Sequence, residues 1–283
     1  MLDLEAAGRS VRRALEEDVG EGDVTSRAVV PEDARALGRF VAREPLVLAG
    51  LPVAREVFRR VDASLLFEPL AEEGSLCAAG AILAIVRGPA RPLLAGERTA
   101  LNFLQRLSGI ATATRALVDR VRGSRLQISD TRKTAPGLRA LDKYAVEVGG
   151  GTNHRFGLYD AWLIKDNHWR LAGGVGPALH RARAALGGRP APGIGLEIEV
   201  GTVDEVREAI EAGADALLLD NMDDATLRQA VEAARGRAFL EVSGNVGAER
   251  LPALAQLGVD RVSIGALTHS VRAVDVALEV EAA

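Results

Sequence analysis

A chain of 283 residues with 48% hydrophobic content is long enough for one barrel-sized domain plus a smaller one, each with material for a core. Its net charge of −4 argues against a general nucleic-acid or membrane-surface binder, which shows a basic excess across a whole face, and 4% aromatic content argues against base stacking. One cysteine, Cys77, excludes a disulfide framework and a cysteine-based zinc site. The opening residues lack an apolar signal core and no stretch offers about 18 uninterrupted apolar residues, so the expectation is a cytoplasmic protein that is neither exported nor membrane-spanning.

The first elements are mixed in type. Apolar spacing from Leu4 to Glu17 predicts a helix, followed by an acidic loop punctuated by glycine. Residues 37–49 and 64–87 read as short strands of a small antiparallel sheet, with Gly74 and Gly80 between apolar runs and Cys77 as buried filler. The rhythm of that segment is shared with lipoyl-like carriers. A carrier needs a lysine at a hairpin tip, and no lysine precedes Lys133. From Leu93 to Val121 the pattern is helical, with Leu94, Leu101, Leu104 and Leu107 facing a core and a break expected at Gly109.

Beyond residues 109–125 the texture becomes regular. Strand-like runs at 126–130, 160–166, 195–200, 216–220, 238–242 and 261–265 alternate with amphipathic helices. Thr202 and Glu205 form a capping-box pattern, and Gly213 and Gly236 close the helices that precede them. This is the βα repeat of a parallel barrel or doubly wound sheet. Each strand ends in polar residues: Asp130, Arg132 and Lys133; Lys165 and Asp166; Glu197 and Glu199; Asp220 and Asn221; Ser243 and Gly244; Gly265. At a barrel mouth these converge on a catalytic face. Each also has a plainer reading, since a carboxylate after a strand often caps the next helix and a lysine at a strand end often extends to solvent.

The cations are unevenly chosen. All three lysines, Lys133, Lys143 and Lys165, fall between Ser129 and His168, in a chain whose other strong positive charges are arginines. Arg132, Arg139, Arg155, His154 and His168 lie in the same stretch. A compact ammonium meets phosphate as a point charge, whereas a guanidinium fork suits carboxylates. The run Gly149, Gly150, Gly151 reads as a flexible loop that carries His154 and Arg155 over a ligand. Lys143, on a predicted helix, supports that loop. Ser243, Gly244 and Asn245, with Gly265 and Ala266, offer free backbone N–H groups at helix entrances for a terminal phosphate. Glu199 and Asp220 form a carboxylate pair suited to Mg²⁺ or sugar hydroxyls, and Glu197 reads as a group that orients a neighbour.

With these residues in view, the segments TRKTAPGLRALDKYAVEVGGGTNHRFGL and IKDNH resemble the quinolinate phosphoribosyltransferases, also called carboxylating nicotinate-nucleotide pyrophosphorylases. The likeness extends back through ERTALNFLQRLSGIATAT and forward through EIEV, LLLDN, EVSGN and SIGALTHS, so nearly the whole chain is covered in order. No position that the family uses for chemistry departs from its pattern.

The resemblance implies an N-terminal open α/β sandwich over residues 1–112, with the tail 273–283 packing back on it, and an incomplete, seven-stranded α/β barrel over 113–272. It implies a head-to-tail homodimer that joins quinolinate to phosphoribosyl pyrophosphate, giving nicotinate mononucleotide, pyrophosphate and CO₂, with Mg²⁺ required. Arg132, His154, Arg155 and Lys165 are then expected at the quinolinate carboxylates, Arg98 to reach across from the other subunit, and Lys133 on the pyrophosphate side. Two other readings remain open at this point. One is a paralogue acting on another aromatic acid, such as the molybdenum-associated proteins. The other is a barrel lyase using Lys165 as a Schiff-base nucleophile.

Overall fold

The computed structural model describes residues 2–283. In chain order the elements are α1 (Leu4–Asp18), α2 (Val24–Val29), β1 (Arg35–Ala42), β2 (Leu46–Val47), α3 (Leu51–Val61), β3 (Leu66–Pro69), β4 (Leu76–Cys77), β5 (Ile82–Pro89) and α4 (Ala90–Val118). There follow β6 (Gln127–Ser129), α5 (Arg139–Val148), β7 (Trp162–Ile164), α6 (Asp166–Ala172), α7 (Val175–Leu186), β8 (Leu196–Val200) and α8 (Val203–Glu211). The last are β9 (Ala216–Asp220), α9 (Asp224–Ala234), β10 (Phe239–Ser243), α10 (Leu251–Leu257), β11 (Arg261–Ser263), α11 (Ala266–His269) and β12 (Val276–Ala282).

The chain divides into two compact units, and neither is contiguous. The first comprises Met1–Ala116, Lys133–Gly151 and Ala266–Ala283; the second comprises Leu117–Arg132 and Thr152–Gly265. The division therefore departs from a single boundary at 112/113. The segment holding Lys133 and α5 joins the first unit because Asp142 of α5, fully buried, accepts two hydrogen bonds from Arg106 of α4, at 2.9 and 2.8 Å. A bidentate pair inside the protein fixes both position and orientation.

In the first unit an antiparallel sheet runs in the order β12-β1-β5-β3. Its last strand pairs with its first from Ala36↔Ala282 to Ala42↔Val276. Phe40 of β1, Phe58 of α3 and Phe67 of β3 form an aromatic cluster with centroids 5.9 to 6.0 Å apart. Helix α3 was not anticipated, although Val53, Ala54, Val57 and Phe58 carry the i, i+3, i+4 spacing of a buried face and Pro52 stands in its first turn.

Two glycine expectations are overturned here. Helix α4 runs unbroken through Gly109, because that glycine serves packing: a Cβ there would lie 2.3 Å from the carbonyl oxygen of Arg272. The run at 149–151 is a helix stop rather than a flexible loop. Gly149, Gly150 and Gly151 each donate a backbone N–H back to α5, to Ala145, Glu147 and Val146 at 2.9 to 3.0 Å. A Cβ on Gly149 would also lie 2.6 Å from Ala111 O.

The second unit is a parallel sheet in the order β6-β11-β10-β9-β8-β7. It has six strands where seven were expected. The seventh position is reduced to one parallel bridge, Ser129↔Thr152, beside β6. The chain reaches Thr152 directly from the glycine stop, and the next residues turn their hydrogen bonds to Asp130: Asp130 N–H donates to Thr152 O (3.2 Å), and His154 N–H donates to Asp130 Oδ1 (2.8 Å). The expected capping box is present, with the Glu205 N–H and Thr202 Oγ1 at 3.2 Å and the reciprocal bond also at 3.2 Å.

Candidate active site

Parallel βα units place every strand's C-terminal end on one edge, so the residues that end β6 to β11 share that edge of the second unit. Lys165 follows β7 and its Nζ lies 3.2 Å from Glu199 Oε2 of the neighbouring β8. Its backbone is fixed as well, since its N–H donates to His168 Nδ1 at 2.9 Å at the start of α6. Trp169 Nε1 donates to the Glu199 carbonyl at 3.0 Å, tying α6 to the end of β8. The ammonium thus meets a carboxylate, although half of the side chain remains exposed.

Asp220 ends β9, and it does not cap the following helix. Asp223 does, accepting from the Thr226 N–H at 2.8 Å. Asp220 instead accepts from Asn221 Nδ2 at 2.7 Å. Asn221 has φ 53° and its N–H donates to Ser243 O at 3.1 Å, which links the loop after β9 to the end of β10. The loop after β10 is closely fitted to that contact: a Cβ on Gly244 would stand 2.2 Å from Asn221 Oδ1.

The entrance to α10 departs from expectation. Gly244 (φ 87°) and Asn245 (φ 49°) turn the chain, so the helix begins only at Leu251 instead of directly after Ser243. Left-handed residues cannot continue into an α-helix, which removes a helix terminus from this loop while keeping its small residues and backbone groups. Gly265, two residues past the end of β11, is the last residue of the second unit. Ala266 opens α11 in the first.

Beneath the strand ends lies a charged interior. Glu197 of β8 and Glu241 of β10 are both buried, and the His154 Nε2 approaches them at 3.5 and 3.3 Å. Arg261, in register with Glu241 on β11, closes the far side with Nη1 at 3.2 Å from Glu241 Oε2 while its guanidinium lies over Phe239. Burial pushes the Glu197 carboxyl well above its usual range, and the neighbouring Glu241 charge pushes it further; Arg261 and Arg155 only partly oppose this. Burial acts the same way on Glu241, but its contacts with His154, then Arg261 and Ser263, hold it below the usual value. The two carboxyls are therefore driven in opposite directions. Two like charges in a low dielectric do not both ionise.

Arg155 is partly buried, and burial, then the nearby Arg132 charge, lowers its pKa, against the pull of Glu197 and Asp160. Arg132 and Arg155 thus share one electrostatic neighbourhood. His154 precedes Arg155 in the same stretch. Its Nδ1 accepts the Arg155 N–H at 2.7 Å and its Nε2 faces the buried carboxylates.

The remaining predicted site residues belong to the first unit. Arg98 lies on α4. Lys133 is held through its carbonyl, which accepts from Thr268 Oγ1 at 2.8 Å, and Ala135 N–H donates to Asp142 Oδ2 at 3.1 Å. Arg106 also reaches Thr268 O at 3.1 Å, so one guanidinium braces both segments. Lys143 is buried in α5.

Sequence reasoning missed Glu241, Arg261, Arg106 and Trp169. A glutamate in the middle of the apolar strand FLEVS was the available signal for the first.

Comparison with known proteins now bears on this site. Residues 23–108 match the model of the quinolinate phosphoribosyl transferase N-terminal domain, and residues 110–279 match that of its C-terminal domain. The chain belongs to the quinolinate phosphoribosyltransferase family. It is 44% identical to the nicotinate-nucleotide pyrophosphorylase [carboxylating] of Mycobacterium leprae, covering 98% of each chain. It is 41% identical to a probable nicotinate-nucleotide pyrophosphorylase [carboxylating] of Bacillus subtilis, over 93% of this chain and 90% of that one. A solved nicotinate-nucleotide pyrophosphorylase from Francisella tularensis superposes with TM-score 0.92 at 39% identity, over 99% of this chain and 98% of that one. Members of this family are α/β enzymes, and the parallel sheet described above is their fold.

Proposed function

We propose that the chain transfers the phosphoribosyl group of phosphoribosyl pyrophosphate to quinolinate, with decarboxylation, giving nicotinate mononucleotide, pyrophosphate and CO₂ in de novo NAD biosynthesis. The observation that carries this reading is the alternation of cations and carboxylates on adjacent strand ends, with Lys165 and Glu199 paired at 3.2 Å and Arg132 beside Arg155. A pyridine dicarboxylate and a sugar bearing a diphosphate and a terminal phosphate are both strongly anionic. Arginine forks at 132 and 155, with His154, Lys165 and Arg98, answer the two carboxylates. Lys133 serves the diphosphate. The small residues Ser243, Gly244 and Asn245, with Gly265 and Ala266, serve the terminal phosphate.

In this reading the ring nitrogen of quinolinate forms a bond to C1 of the ribose as the C1–O bond to the diphosphate breaks, and that electron pair leaves with the diphosphate. Positive charge develops on the ribose, where Glu199 and Asp220 stabilise it and accept from its hydroxyls. Catalysis is positioning and electrostatics. The alkylated ring is an electron sink, so the 2-carboxylate departs as CO₂ and the ring carbon takes a proton, without a dedicated general base.

The donor set also fits a hard cation: two carboxylates at adjacent strand ends suffice for Mg²⁺ when a substrate diphosphate supplies further oxygens. Glu199 and Asp220 would hold it, and Mg²⁺ would neutralise charge on the leaving diphosphate. Arg98 contributed across a homodimer interface, and a cytoplasmic setting, belong to the same proposal. Among the described residues no helix is long and apolar enough to cross a membrane.

Lys165 as a Schiff-base nucleophile fits less well, since the reaction needs a neutral amine and this ammonium has a carboxylate partner. Incubation with phosphoribosyl pyrophosphate and Mg²⁺ plus either quinolinate or nicotinate should release nicotinate mononucleotide and CO₂ from quinolinate alone. Turnover of nicotinate but not quinolinate would reject the assignment. Arg132→Ala should raise KM for quinolinate about a hundredfold and that for phosphoribosyl pyrophosphate less than about threefold.

A further inference from the structure

We propose that Arg106 and Thr268 are positioning residues for Lys133, fixing the backbone from which its ammonium meets the substrate diphosphate. The inference deepens the proposed function and rests on it, because it takes Lys133 as the diphosphate contact. Residues 130–138 lie between β6 and α5 and belong to no helix or strand. A segment outside any ladder takes its position from the groups that reach its peptide bonds. Lys133 is itself exposed, so the direction of its side chain starts from how that backbone is held.

Two peptide groups, at Lys133 and Ala135, are held by one connected network. The Lys133 carbonyl accepts from Thr268 Oγ1 at 2.8 Å, and the Ala135 N–H donates to Asp142 Oδ2 at 3.1 Å. Arg106 joins the two anchors. Its Nε and Nη2 donate to the two oxygens of the fully buried Asp142 at 2.9 and 2.8 Å, and Nη2 also donates to the Thr268 carbonyl at 3.1 Å. Thr268 is buried in α11, a helix of four residues whose closing carbonyls find no partner within it. A planar guanidinium donates in these fixed directions, which a freely rotating ammonium does not.

Every residue of the network belongs to the first unit, and the chain enters that unit at Lys133 and again at Ala266. The network ties these two entry points to each other and to α4. Further along α4, Arg115 Nε donates to the Gly149 carbonyl at 2.9 Å, so one helix also grips the far end of α5. The grips at Asp142 and Gly149 secure α5, whereas the Thr268 hydroxyl acts on the Lys133 peptide.

The test is a kinetic double-mutant cycle on the full chain, centred on Thr268 because Arg106→Ala would strand the buried Asp142 charge and mix folding with function. Thr268→Val replaces the hydroxyl donor with a methyl. It should raise KM for phosphoribosyl pyrophosphate about fivefold while KM for quinolinate moves less than about twofold. Thr268→Ser keeps the donor and should stay within about twofold of wild type for both substrates. In a Lys133→Ala background Thr268→Val should cost less than about twofold more, because its effect passes through that side chain. If Thr268→Val does not fold, Arg106→Lys, which keeps a charge beside Asp142 and loses the fork, carries the same cycle. Equal losses for both substrates, additive losses in the cycle, or a serine variant as impaired as the valine would overturn the positioning role. A wild-type chain that turns over no quinolinate would instead reject the proposed function, a result distinct from any of these.

Discussion

The sheet of the first unit packs Phe40 against Phe58 and also buries Leu83 and Val86, whereas the sheet of the second buries Glu197, Glu241 and Ser263 as well as Ile198, Leu217 and Val242. Apolar burial stabilises at about 25 cal/mol per Å² and asks little of geometry. Buried charge stabilises only when every partner is in place, and costs several kcal/mol when one is lost. The sheet of the first unit therefore reads as a stability device. The second exchanges stability for groups held at fixed points under its strand ends.

That contrast can be broken in three ways. The largest effect is expected from Phe58→Ala, which opens a void in the aromatic cluster and should cost about 3–5 kcal/mol in urea unfolding. KM for both substrates should be unchanged in the folded fraction; a tenfold rise in either would show that the apolar unit also tunes the site. Next comes Gly109→Ala, whose added Cβ meets the Arg272 carbonyl. Forcing two backbones apart should cost about 1–3 kcal/mol, and a neutral thermal melt would mean that α4 relaxes easily there.

The smallest effect sharpens the charged side. Glu197 has a folded pKa raised above its ordinary value of 4.5, so its protonated form gives full stability at low pH, and that contribution declines as pH rises from 4.5 through the raised value. Glu197→Gln removes the titration. Its stability relative to wild type should therefore climb as pH rises from 4.5 through the raised value. A difference that stays flat across that range would mean Glu197 is already ionised in the folded protein.

Much of this was legible in the sequence, and the reasons differ by region. The βα repeat announced itself because strand runs, capping box and terminal glycines agree at each unit, so local and global signals coincide. Lys165 and Glu199 were found at strand ends for the same reason, and they pair. Glycine was the less readable residue. Gly109 and the run at 149–151 look alike in sequence to a hinge and a flexible loop, yet Gly109 and Gly149 each meet a backbone that approaches from elsewhere in the first unit. Such contacts join residues far apart in the chain, which periodicity cannot register. His154 was legible as a site residue but its direction was not, since the side it faces depends on a carboxylate 87 positions later, Glu241.

One feature of the second unit extends beyond its own hydrogen bonds. A closed barrel fixes its curvature by strand number and shear, and the sheet here is not closed: between the bridge at Thr152 and β7 the two edges remain unjoined. His154 starts from one of those edges, two residues past the bridge, and its imidazole reaches inward to β8 and β10. The open edge beside the bridge thus meets the interior of the sheet through one side chain, at a place where no strand closes it.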